Sequence, residues 1–130
     1  MGRFLMVCVG GFFGTVARYG LNGWVAHRFG ETFPWGTLTV NVVGSFLAGV
    51  LYFACGPDSP VIVSATTRQF LLAGILGGFT TFSSFSLQTL TLLKDGEFVA
   101  ACGNAIGSVL LGLLAVYAGD TLARAAWMPR

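Results

Sequence analysis

The chain has 130 residues, of which 55% are hydrophobic and 9% charged, with a net charge of +2. A soluble domain carries about 25% charged residues, so the composition excludes a water-soluble globular protein and points to an integral membrane protein. The small net charge argues for no polymeric partner, nucleic acid included, and the odd, isolated cysteines Cys8, Cys55 and Cys102 fit neither a disulfide framework nor a metal-ligand spacing.

Apolar stretches from Phe4 to Val25, Trp35 to Cys55, Phe70 to Leu93 and Phe98 to Gly119 predict membrane-spanning helices, each near the roughly 20 residues a bilayer requires. They make residues 1–130 a single all-α transmembrane domain. Arg3 ahead of the first run raises the reading of a signal peptide. No small-x-small cleavage pattern follows, and the run holds glycines and an arginine, so it reads as the first helix. Gly10 and Gly14 form a GxxxG pair, a spacing that lets helices approach closely in lipid. Arg18 has no acid in its span. Either it snorkels to the interface beside Tyr19 and Trp24, or it stands at a vestibule and attracts anions by its field. His27, next to Arg28 at the end of the span, reads as interfacial.

The short polar loop from Arg28 to Phe33 leads into a second helix opened by Pro34-Trp35-Gly36. Thr37, Asn41, Gly44, Ser45 and Ala48 fall on one stripe of that helix, which is small and polar rather than oily. The Asn41 amide is either an interhelical hydrogen bond, worth about 0.6 kcal/mol in a membrane, or a donor lining a pore.

Gly56-Pro57-Asp58-Ser59-Pro60 is a turn by composition, and Arg68 precedes the third span. The centre of that span is Gly77-Gly78-Phe79-Thr80-Thr81-Phe82-Ser83-Ser84-Phe85-Ser86. Each glycine in a helix interior costs about 1 kcal/mol relative to alanine, and the hydroxyls of Thr80, Thr81, Ser83, Ser84 and Ser86 must find partners in lipid. The stretch predicts a helix weakened by Gly77-Gly78 and broken ahead of Phe82, where it resumes. Irregular backbone at that depth is tolerated where it lines a wet cavity, and its freed carbonyls can coordinate a cation. A glycine-kinked helix with core aromatics is the plainer alternative. Phe82 and Phe85 share a face of the resumed helix, and Gln88, Thr89 and Thr91 keep it unusually polar.

After the charged turn Lys94-Asp95-Gly96-Glu97, the fourth helix holds a second GxxxG pair, Gly103 and Gly107, with Asn104 and Ser108 one turn apart on one face. The tail from Asp120 to Arg130 is expected to return to water. Arg3, Arg68, Arg124 and Arg130 fall on one side of the membrane and Arg28 and Lys94 on the other. So weak a positive-inside bias is compatible with insertion in both orientations.

The interiors of the spans hold no Asp, Glu, Lys or His. Proton-coupled cation carriers use carboxylates in the membrane, which counts against the small four-helix multidrug exporters and their first-helix glutamate. No nucleophile beside a base, metal cluster or P-loop lysine is present, which speaks against an enzyme. What remains is a set of neutral donors and phenylalanines with electropositive ring edges, which select a small anion by dipoles and size.

The motifs Gly10-Gly11-x-x-Gly14-x-x-Ala17-Arg18-Tyr19, Trp35-Gly36-Thr37-Leu38-Thr39-Val40-Asn41-x-x-Gly44-x-Phe46 and Gly77-Gly78-Phe79-Thr80-Thr81-Phe82-Ser83-Ser84-Phe85-Ser86 closely resemble the fluoride channels of the CrcB/Fluc type, over nearly the whole chain and in the same order. The resemblance implies a passive fluoride channel in the plasma membrane of a bacterial-type cell. It implies an antiparallel, dual-topology homodimer with fluoride pores between the subunits and a central structural sodium ion. Carried onto this sequence, sodium would be held by the backbone carbonyls of Gly77 and Thr80. Phe82 and Phe85 match pore phenylalanines, Asn41 and Ser108 match polar pore residues, and Arg18 matches a basic residue near a pore entrance; Thr81, Ser83 and Ser84 belong to the same pore motif. Gln88 stands where the family often has glutamate, and Asn104 where many members have tyrosine. With Thr37 these two are expected to form a neutral cluster at one pore end.

Overall fold

The structure, a computed structural model, describes residues 2–57, 59 and 61–127. Its architecture is all-helical: α1 (Gly2–Phe29), α2 (Trp35–Ala54), α3 (Ala65–Lys94) and α4 (Phe98–Trp127), each long and apolar enough to cross a membrane. Among the described residues there is no strand. The helix ends follow local chemistry. Gly30 and Gly96 take the left-handed backbone conformation, with φ of 82° and 80°, just beyond α1 and α3, which glycine does without a Cβ penalty. Ser64 caps the start of α3, its side chain accepting from the Thr67 N–H at 3.1 Å. Of the turn between α2 and α3, Asp58 and Pro60 lie outside the described residues.

Two helix pairs, α1 with α3 and α2 with α4, make the principal packing of the bundle. Both are built on glycine. A Cβ on Gly10 would sit 2.8 Å from the Phe70 carbonyl oxygen and 3.0 Å from Gly74 Cα, and one on Gly14 would run into the Ile75 carbonyl. The GxxxG pair of α1 therefore does bring two backbones into contact. Lipid gives helices no hydrophobic drive to associate, so close van der Waals approach has to supply it. The second expected pair behaves differently. Gly103 and Gly107 have nothing within 4 Å of a built Cβ. The crossing of α4 with α2 instead occurs at Gly49 and Gly119, where a Cβ would strike the carbonyls of Val116 and Phe46.

The segment expected to leave the membrane after Gly119 remains helical to Trp127. Asp120 and Arg124 pair one turn apart at 2.8 Å, and the Arg124 guanidinium lies 5.1 Å from the Phe53 ring centroid at the end of α2. The second of these contacts joins the last turns of α4 to α2, and the first fixes the guanidinium that makes it. Residues 128–130 of that tail are outside the described set.

The third span departs most from a simple helix. Ala65–Gln69 is α-helical, Phe70–Leu76 is a π-helical stretch, and Gly77–Phe79 returns to α-helix. Thr80 and Thr81 are then extended, with φ/ψ of −82°/158° and −150°/115°, before Phe82–Lys94 resumes the helix. The two arms are joined with a bend of only 18°. The sequence placed an interruption ahead of Phe82 and read Gly77-Gly78 as weakening the helix; both glycines are helical, Gly77 with φ −62° and ψ −35°. Gly78 serves packing: a Cβ there would approach Gly11 Cα to 3.0 Å. The π-helical turns lie where the backbone of α3 rests on Gly10 and Gly14; such widened turns often occur at functional sites.

Candidate pore-lining site

The extended pair Thr80-Thr81 is held by side chains. Asn41, on the polar stripe of α2, faces Thr81 edge-on. The Thr81 N–H donates to Asn41 Oδ1 at 2.8 Å, and Asn41 Nδ2 donates to the Thr81 carbonyl at 3.0 Å. The amide thus pairs with one residue's backbone as a neighbouring β-strand would. Thr81 in turn caps the resumed helix: its Oγ1 accepts from the Ser84 N–H at 3.2 Å and lies 3.1 Å and 3.2 Å from the hydroxyls of Ser84 and Ser83. Thr80 donates through both its N–H and its hydroxyl to the Leu76 carbonyl, each at 3.0 Å. Farther along, Ser86, Thr89 and Thr91 donate back to the carbonyls of Phe82, Phe85 and Leu87. The hydroxyls that a lipid environment would penalise are thereby satisfied within the helix.

Gly44 makes the approach of α2 possible, because a Cβ there would collide with the Thr80 methyl group and come within 3.2 Å of the Phe79 ring. A cleft of about 480 Å³ opens beside it, lined by Asn41, Gly44, Gly77, Thr80, Thr81, Phe82 and Ser108 among others. Phe82 is 78% exposed, and the half-buried Phe85 ring lies 5.3 Å from it, tilted by 47°. Phe82 therefore stands on the outside of the subunit, with Phe85 behind it.

The backbone carbonyls of Gly77 and Thr80 suit a hard monovalent cation. In a regular helix they would accept from the N–H groups four residues on, which belong to Thr81 and Ser84. Those two donors go instead to Asn41 and to the Thr81 hydroxyl. The carbonyls are left out of the helical ladder beside a cleft that both residues line. Among the described residues no group of His, Cys, Asp or Glu is arranged to hold a metal ion, so neutral oxygens are the donors on offer.

On the other face of Thr81 is a second cavity of about 280 Å³, lined by Arg18, Asn22, Thr37, Thr81, Ser84 and Gln88 among others. Arg18 is half-buried there, close to the hydroxyl-rich joint rather than extended into lipid. Gln88, Thr37 and Asn22 also border a larger mouth of about 520 Å³ that opens toward Glu31, Asp95 and Glu97. The expected trio of Thr37, Gln88 and Asn104 is distributed over two places. Asn104 is 1% exposed and donates to Thr89 Oγ1 at 2.8 Å, while Ser108 Oγ lies 3.5 Å from Asn104 Oδ1. Thr37 and Gln88 face the Arg18 cavity, and Gln88 Oε1 is buried without a hydrogen-bond partner. Sequence reasoning passed over Thr89 as the partner of Asn104 and Gly44 as the clearance for Thr80. The first pairing crosses a turn and leaves no periodic signal; the second was visible as a small residue on the Asn41 stripe.

Four spanning helices, buried glycine crossings and polar cavities on both sides of the α3 joint define a multi-pass membrane protein. Within that class the chain belongs to the CrcB family: the family model described as "CrcB-like protein, Camphor Resistance (CrcB)" matches residues 5–120. Its relatives carry the name of an ion channel, not of an enzyme. A "Fluoride-specific ion channel FluC" of Opitutus terrae is 53% identical over 123 residues, covering 95% of this chain and 93% of the relative. Proteins of the same name from Rhodospirillum rubrum and Thermus thermophilus are 45% and 47% identical, covering 89% and 92% of this chain and 90% and 92% of their own lengths.

Proposed function

We propose that this protein is a passive, fluoride-selective channel of the plasma membrane, working as an antiparallel homodimer with two pores and a central structural sodium ion. The observation that carries the reading is the outward-facing cleft in which Asn41, Thr81, Ser108 and the exposed Phe82 meet. Polar groups on the outer surface of a membrane subunit are costly against lipid, and a second copy would cover them. Kinship to proteins named for fluoride supplies the ion; the chemistry of the site agrees with a small anion. Asn41 keeps one amide N–H after pairing with Thr81, Ser108 and Ser83 offer hydroxyls, and the Phe82 and Phe85 ring edges add positive potential. None of these groups titrates near neutral pH. Arg18, at the second cavity, draws anions toward the joint, with Ser84 beside it. Gln88 and Thr37 line its mouth, and Asn104 orients Ser108. A sodium ion on the carbonyls of Gly77 and Thr80 would offset the partial negative charge gathered at the joint.

The physiological logic is export. Neutral HF crosses the bilayer, ionises in the cytoplasm, and the anion leaves through the channel down its gradient. Fluoride efflux from liposomes carrying the purified protein, read with a fluoride electrode and compared with chloride, tests this directly. Fast fluoride release without chloride release is expected; equal release of both, or none from a folded dimer, overturns the proposal.

A further inference from the structure

We infer that Asn41 is a positioning residue for the cation site as well as a pore residue: it holds the Gly77 carbonyl available by taking the hydrogen bond that would otherwise cover it. The inference rests on the sodium reading above and deepens it. The Thr81 N–H has two acceptors within reach of the chain's topology. One is the Gly77 carbonyl, four residues earlier, which would continue the helix. The other is Asn41 Oδ1, which it uses at 2.8 Å. Asn41 also donates to the Thr81 carbonyl at 3.0 Å, and the doubled contact holds Thr81 at φ −150° and ψ 115°, far from helix. Helical propagation is otherwise favourable in an apolar medium, where every backbone group must be paired. Without Asn41 the Thr81 N–H has the Gly77 carbonyl as its nearest lawful partner, and the joint closes over that oxygen.

The same device operates a second time, one step along the chain. The Thr80 carbonyl loses its helical donor, the Ser84 N–H, to Thr81 Oγ1 at 3.2 Å. Gly44 lets α2 come close enough for the first contact, since any Cβ there would push against Thr80. The two oxygens proposed to hold the cation are therefore uncovered by two identifiable side chains, and one of these, Asn41, also borders the cleft proposed to carry the anion. Pore and cation site are mechanically one unit, joined through the Asn41 amide.

The test reads sodium rather than flux. Wild type and variants are purified without sodium. Sodium is then read both as the metal retained by the dimer after brief exposure and gel filtration, and as the rise in thermal midpoint in sodium chloride over N-methylglucamine chloride; the two readings cover slow and fast exchange. Asn41→Leu removes the acceptor and should lose both signals. Asn41→Asp keeps an acceptor for the Thr81 N–H in either protonation state and should retain them, a rescue that a merely structural role would not produce. Thr81→Val should lose the signals and Thr81→Ser keep them, while Ser108→Ala, in the same cleft but outside the clamp, should keep them. A folded Asn41→Leu dimer with the wild-type sodium response overturns the inference. Should that variant fail to fold, Gly44→Ala replaces it, with the same two outcomes. A wild-type protein without any sodium response overturns both this inference and the cation part of the proposed function, and fluoride efflux from the same sample then shows whether the pore reading survives on its own.

Discussion

Asn104 and Gln88 show how two amides in a membrane protein come to differ. Asn104 is almost fully buried and hydrogen-bonded to Thr89, with Ser108 at its other end. Removing its amide takes a hydrogen bond from the Thr89 hydroxyl, which still donates to the Phe85 carbonyl, and a typical hydrogen bond contributes about 0.5–1.5 kcal/mol. Asn104→Leu is expected to lower the midpoint of thermal unfolding accordingly. Gln88 Oε1 is buried without a partner, so that oxygen contributes no hydrogen bond to stability. Gln88→Met should leave unfolding within about 1 kcal/mol of wild type, because an unpaired acceptor is exchanged for a side chain of similar volume. A strong destabilisation would mean that a donor reaches Gln88 in the assembled protein. The proposed pore role of Phe82 and Phe85 is read in transport instead. Replacing both by isoleucine keeps bulk and apolarity while removing the ring edges, and is expected to abolish fluoride efflux from liposomes with the dimer still formed by size-exclusion chromatography.

At the scale of the elements, glycine decides which helix faces meet. Gly14 on α1 and Gly49 on α2 each sit where a methyl group would enter a neighbouring carbonyl. Overpacking of that kind costs about 1–3 kcal/mol, so Gly14→Ala and Gly49→Ala should each lower the thermal midpoint. Gly107→Ala meets open space within the subunit and should leave unfolding of the separated subunit within about 0.5 kcal/mol. A loss seen only in the dimer would place Gly107 at the contact between copies. The comparison also separates two motifs that look alike on paper: Gly10 and Gly14 face a partner helix, and Gly103 and Gly107 do not. The spacing is the same, but only the tertiary arrangement supplies a backbone opposite it. In α3 the same distinction holds for Gly77 and Gly78, which read as weakening the helix yet remain helical. The departure from helix comes at Thr80 and Thr81, where hydroxyls and the Asn41 amide offer the backbone other partners.

For the whole molecule, the charge distribution and the exposed site point in one direction. The basic residues divide weakly between the two ends of the bundle, which favours neither orientation strongly. Insertion both ways is expected, so that in cells an impermeant thiol reagent labels Cys55 and a cysteine introduced in the 28–33 loop from the same side, each incompletely. Labelling of one and full protection of the other would establish a single topology and remove the antiparallel dimer. A single subunit leaves Phe82 and the Asn41 cleft on its outer surface, the face that the proposed second copy would cover.

Composition alone established a multi-pass membrane protein, because so few charges over so many apolar residues leave only lipid as a solvent. Hydropathy placed the helices, since the bilayer imposes their length, and the Gly77–Ser86 motif carried the family because its residue types are rare together in a span. The end of α4 was not legible: Asp120 and Arg124 look like residues bound for water, and the packing of the Arg124 guanidinium on Phe53 exists only once α2 lies alongside. Nor was the role of Asn41. A stripe of small and polar residues told which face of α2 is polar, but whether an amide on it meets a backbone, an ion or another side chain depends on what the fold brings opposite. Here it is the Thr81 backbone, 40 residues away in sequence, and the choice was made by the close approach that Gly44 permits.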